Sequence, residues 1–223
     1  MSIFNKFFKK IFVINLYDND DRWKQVEKQF KKSYSSSSIT NGKNYLAFEI
    51  AKQFVLNFLN FELGQIKKGN RIKITGLEVS LDIEHHVTGL EKPIKLRGKI
   101  DRIDEINGNS RIIDYKTGKV TPYQLKIKDW ELIITEEKFS KSFQVLTYAY
   151  MYLKKEGKSL DQFTFETGII SFKNLKDGFM AFNGGCLSEE HMKSFLTELD
   201  KLILEIFDKN AAFIEKEQPI FNY

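Results

Sequence analysis

Cysteine occurs once in the 223 residues and proline only 3 times. The lone Cys186 excludes an intrachain disulfide framework, a cysteine-built zinc site and a self-contained iron–sulfur cluster; it fits a cytoplasmic setting. Long apolar runs are missing too. The longest are a few residues, such as Ile11-Phe12-Val13-Ile14, against the roughly 20 that cross a bilayer, so no membrane span is expected. The opening MSIFNKFFKKIFVINLYDND has neither the uninterrupted apolar segment nor the small-residue cleavage site of an export signal. Neither sign of charge dominates. The 35 Lys and Arg against 30 Asp and Glu leave +5, which permits a phosphate-rich partner without demanding one. What the chain does have is bulk. Hydrophobic residues at 42%, with 20 Phe, exclude a wholly disordered chain and point to a packed domain.

Residues 1–43 read as a leading segment ending in a linker. Arg22 to Lys32 suits a short amphipathic helix, and the Ser-rich run from Ser33 to Gly42 buries too little apolar area to order itself. Residues 44–223 then form the main domain. Leu46, Ile50, Phe54, Phe58 and Phe61 recur at helical spacing, which predicts a long core helix from Asn44 to Ile66, stopped by Gly69-Asn70. Strands are expected over Arg71 to His85, Ile94 to Glu105 and Ser110 to Asp114, the last two joined as a hairpin at Asn107-Gly108-Asn109. A helix over Ser140 to Lys154, a strand over Phe163 to Phe172 and a final helix over Leu187 to Asn210 complete an α/β order. His85 and His86 point to opposite faces of a strand and do not readily share one metal ion; they read as turn-edge residues.

The chemistry gathers in two runs, Leu96 to Asp104 and Arg111 to Lys119. Period two puts Ile112, Asp114 and Lys116 on one strand face and Ile113 and Tyr115 on the other, while the Asn107-Gly108 turn folds Asp101 back toward Asp114. Two nearby carboxylates repel. Hard divalent ions such as Mg²⁺ or Mn²⁺ relieve that penalty through oxygen coordination, polarise a phosphate and lower the pKa of bound water. Asp101 and Asp114 are the expected metal ligands, with the main-chain carbonyl of Tyr115 a further candidate. Lys116 then orients water, stabilises developing charge or acts as base, the first two being favoured because the metal activates the nucleophile. The alternative is a solvated hairpin end whose Asp–Lys pairs are surface electrostatics only. Gln144 and Tyr148 share a helix face and suit phosphate, base-edge or stacking contacts; Lys99, Arg102 and Lys119 are further phosphate-contact candidates.

Together the runs Gly98 to Asp104, Ile112 to Lys119 and Gln144-Val145-Leu146-Thr147-Tyr148 resemble the linked motifs of the PD-(D/E)XK nuclease superfamily. The likeness is to its RecB-like branch, near the AddB nuclease domain and the CRISPR-associated nucleases of that type, over residues 44–173. It implies a restriction-endonuclease-like core, a central mixed sheet flanked by helices. It also implies metal-dependent hydrolysis of DNA phosphodiester bonds in end processing or recombinational repair. Asp101, Asp114, Lys116, Gln144 and Tyr148 match the catalytic set, and a helicase subunit or upstream helicase-like domain is the implied partner. Two departures stand out. RecB-like nucleases usually add a histidine ligand from the preceding helix, whereas the histidines here are His85, His86 and His191; Glu49 or Glu78 is the candidate substitute. Iron–sulfur members need four cysteines, so no such cluster is expected. The absent histidine and the unusual start suggest the C-terminal portion of a longer protein. They also leave open a non-catalytic DNA-binding or assembly module of a helicase–nuclease complex, with the apolar final helix as a partner surface.

Overall fold

Asn107 and Gly108 take φ of 53° and 90°, the left-handed pair that a two-residue hairpin turn requires and that Asn-Gly adopts most cheaply. They join β2 (Ile94–Ile106) to β3 (Asn109–Lys116), setting Ile106 opposite Asn109 and Arg102 opposite Ile113. The computed structural model of the protein describes residues 22–33, 42–161 and 164–212. The expected linker and the first residue of the expected strand at Phe163 therefore fall mostly outside the described residues. β1 (Ile72–His85) pairs antiparallel with β2, β4 (Phe165–Ser171) runs parallel to β3, and β5 (Phe179–Cys186) closes the far edge antiparallel to β4. The order β1-β2-β3-β4-β5 is a mixed sheet, as the motifs implied.

Parallel neighbours need a long crossover, and here it carries short α3 (Leu132–Thr135) and then α4 (Ser140–Glu156). Period two splits the strands between two cores. Ile112 and Ile169 join α4 and α5 (Glu189–Phe207) on one face, with Leu146, Ala149, Phe182 and Phe195. Ile113, Tyr115 and Ile170 join α1 (Arg22–Ser33) and α2 (Gly42–Lys67) on the other, with Val26, Phe30, Val55 and Phe58. Ser188 caps α5, its Oγ accepting from the His191 N–H at 3.2 Å, as its place before two glutamates suggests. No described helix is long and apolar enough to cross a membrane.

Several expectations need correction. In α2 the buried face is Phe48, Ala51, Val55, Phe58 and Glu62, whereas Leu46 and Ile50 are exposed. Apolar residues surround this helix, so its periodicity does not choose a face; contact with α1 and the β3–β4 surface does. β5 was not expected at all. Its Asn183-Gly184-Gly185 run reads locally as a turn, and pairing with β4 supplies the ladder that propensity does not. His85 is no turn-edge residue: it is buried, with Nδ1 2.7 Å from the Tyr150 hydroxyl and Nε2 2.6 Å from Asp200, tying β1 to α4 and α5.

Candidate active site

The β2–β3 register that sets Arg102 opposite Ile113 sets Asp101 opposite Asp114 one step on. Both carboxylates are buried, at 2% and 1% exposure. Asp101 Oδ2 accepts the Tyr115 main-chain N–H at 2.9 Å, which ties it to β3 just beyond the last ladder pair. Lys116 Nζ stands 2.7 Å from Asp114 Oδ2 and donates to Gln144 Oε1 at 2.5 Å. The Gln144 amide in turn donates to the Tyr148 hydroxyl at 2.9 Å. Asp101, Asp114, Lys116, Gln144 and Tyr148 are thus brought together, the helix pair reaching the strands through the lysine. An ammonium has three donors, and Asp114 and Gln144 each take one.

Gly98 lets α4 come this close. A Cβ there would lie 3.1 Å from Tyr148 Cε1 and 3.3 Å from Met151 Sδ. Gly98→Val is expected to cost about 1–3 kcal/mol through overpacking and to displace the Tyr148 ring. Thermal denaturation checks it; an unchanged midpoint would mean that the helix gives way freely.

Residues 12–218 match the PD-(D/E)XK nuclease superfamily. The chain belongs to that superfamily. Membership implies a nuclease acting on nucleic acid, and such enzymes typically use divalent metals. Among solved structures, that of SSO0001 matches with 14% identity and a TM-score of 0.31, covering 90% of this chain and 84% of that one. No curated protein matches.

The donor set at the PD-(D/E)XK motif fits the superfamily's metal: two buried carboxylates on adjacent strands are hard oxygen ligands, and the one thiol, Cys186, lies at the far end of β5. Among the described residues, no three His, Cys, Asp or Glu side chains are grouped closely enough to hold an ion on their own. The two candidates for a further ligand separate clearly. Glu49 pairs with Lys52 at 2.7 Å on the side of α2 where that lysine also stands over Trp23 and Phe48, and the structure does not bring it to the aspartates. Glu78 lies between Leu77 and Val79, which pair with Arg102 and Ile100 on either side of Asp101, although Glu78 itself makes no ladder pair. Its φ of 52° is a left-handed conformation that costs a non-glycine residue on the order of 1–3 kcal/mol. Oε2 accepts Lys99 Nζ at 2.7 Å, while Oε1 is buried with no hydrogen-bond partner. Strain of this kind gathers at functional sites.

The remaining phosphate-contact candidates divide. Lys99 is occupied by Glu78, and Lys119 is exposed past the end of β3. Arg102 does not fit that role: at 2% exposure it sits under the sheet, its guanidinium contacting Glu62 at 3.2 Å, the Tyr115 hydroxyl at 3.1 Å and Asp104 at 2.6 Å. Because α2 covers the sheet face from which Arg102 projects, its side chain is sealed beneath that helix beside Glu62. Burial opposes its charge, yet Tyr115, Glu62 and Asp104 hold its pKa above the ordinary value, and burial pushes the Tyr115 phenol up as well.

Sequence reasoning missed Lys141. It lies one helical turn before Gln144, half-buried, and its pKa is lowered by desolvation first and then by the charge of Lys116. The Glu137 carboxylate partly offsets that effect. The i, i+3 and i, i+7 spacing of Lys141 to Gln144 and Tyr148 was the available signal.

Proposed function

We propose that this protein is a Mg²⁺- or Mn²⁺-dependent deoxyribonuclease of the RecB-like, AddB-like branch. The carrying observation is the joined set of Asp101, Asp114 and Lys116, with Gln144 and Tyr148 linked to the lysine. The motif spacing supports the branch, and the branch supports DNA as substrate, a role in end processing or recombinational repair, and a helicase neighbour. The lone cysteine supports a cytoplasmic setting. The catalytic unit in this reading is residues 44–223, preceded by residues 1–43, whose helix α1 packs on α2.

Asp101 and Asp114 would hold the ion, with the Tyr115 carbonyl as a further oxygen ligand and Glu78 the candidate for another; the carbonyl leaves the strand on the same edge as the N–H that Asp101 binds. When bound, the ion supplies Lewis-acid polarisation of the phosphate and a water of lowered pKa. Lys116 donates to the scissile phosphate oxygen, where negative charge grows during attack, and Asp114 and Gln144 keep its Nζ aimed there. Lys141 adds a second positive charge for the neighbouring phosphate. Gln144 and Tyr148 position lysine and strand rather than the metal, because an amide and a phenol are poorer ligands for hard cations than carboxylates.

Purified protein incubated with single- and double-stranded DNA and Mg²⁺ or Mn²⁺ is expected to cleave. The doubly substituted Gln144→Ala, Tyr148→Phe protein should keep Mn²⁺ affinity and lose about 10²-fold in rate, the scale of one misplaced charge-stabilising donor. Wild-type protein that binds DNA but cleaves neither form would replace this reading with a non-catalytic DNA-binding or assembly module. That alternative draws on the absence of a grouped third acid among the described residues.

A further inference from the structure

Beyond the carboxylates, where β3 and β4 end side by side, the surface opens into a groove of about 610 Å³. Asn57, Asn60, Lys119, Lys173, Asn174 and Lys176 line it. Its position follows from the parallel register. Lys116 pairs with Ser171, so the chain reaches Lys119 just past one member of that pair and Lys173 just past the other. The Ser171 hydroxyl donates to the Gly118 carbonyl at 2.8 Å and ties the two exits together. The groove therefore lies just past the ends of β3 and β4, three residues beyond Lys116, and runs along α2.

Its chemistry is one-sided. Lysines and carboxamides line it and no carboxylate does among the described residues, which is the donor composition that phosphate oxygens select. The lining aromatic ring, Phe172, is 3% exposed and packed against Tyr115 and Phe58, so no ring face is offered for a base to stack on. A ligand here is gripped by its backbone and not read by its bases.

We propose that this groove binds the sugar–phosphate backbone of one nucleic-acid strand on one side of the bond being cut, without sequence preference. The proposal rests on the nuclease reading and adds to it the path that the strand takes away from Asp114 and Lys116.

The test is a triple variant, Lys119→Gln, Lys173→Gln and Lys176→Gln. These side chains are exposed, so folding is expected to survive; circular dichroism checks this. Anisotropy of a labelled oligothymidylate of about 16 nucleotides is measured in EDTA across a salt series, beside one of about 4 nucleotides. Each lost phosphate contact removes about 0.7 from the slope of log K against log salt, so the long strand's slope should fall by about 2 and its affinity by about tenfold or more. The short strand should bind the variant as it binds the wild type, and so should the long strand to a control carrying Lys68→Gln, Lys92→Gln and Lys209→Gln. A wild-type slope in the triple variant, with the wild type cleaving DNA, overturns the groove and leaves the nuclease reading standing. Wild-type protein that neither binds nor cleaves a strand overturns the nuclease reading itself, and the groove with it.

Discussion

Asp114→Asn is expected to reduce DNA cleavage by about 10³-fold or more while leaving the fold at least as stable as before. Asp114 and Asp101 are buried at adjacent positions of β2 and β3, and like charges held there oppose folding. Asparagine keeps the shape and an acceptor for Lys116 but removes the charge proposed to bind a cation and the one paired with the ammonium. Activity and stability should therefore move apart, as they do where a site keeps repulsive groups for function. Calorimetric titration with Mn²⁺ should show a stoichiometric site in the wild type and none in the variant. Indistinguishable titrations would remove Asp114 from the metal site.

Arg102→Met should unfold the protein more easily by about 3–5 kcal/mol, because it leaves the buried charges of Glu62 and Asp104 without their shared partner. For a chain of this size that corresponds to a fall of roughly 10 °C in the midpoint of thermal denaturation. Arg111 softens the loss, since its Nε and Nη2 already donate to the two Asp104 oxygens at 2.8 and 2.9 Å. Asp104→Asn should therefore cost a comparable amount, as it strips a partner from both arginines. If calorimetry of Arg102→Met shows a midpoint within a degree or two of wild type, the cluster contributes no net stability. The same substitution separates this role from nucleic-acid contact: a buried arginine leaves the salt dependence of DNA binding unchanged at temperatures where the variant is folded.

The contrast between Asp101 and Arg102, neighbours in one strand, shows how far local pattern carries. The hairpin was legible because Asn107-Gly108 has few alternative conformations, and once it forms, the run lengths on either side bring Asp101 to Asp114. Lys116 followed from period two, and Gln144 with Tyr148 from helical spacing, though their link to Lys116 through a hydrogen-bonded chain was not. Arg102 was misread because a cation beside an acid looks the same in sequence whether it meets solvent or a buried carboxylate forty residues away.

Sequence alone therefore determined the elements whose signals are local: the β2–β3 hairpin, the amphipathic helices, the capped α5 and the acidic motif with its lysine. Tertiary structure decided what depends on non-local pairing. It chose the buried face of α2 and added β5 through β4. It also set the β1–β2 register, with its bulge between Ile74 and Gly76, that brings Glu78 to Lys99. The physical reason is common to all of these. A turn or a helix is stabilised by residues within a few positions of each other, whereas a face, a register or a charge pair is chosen by whichever distant surface buries it.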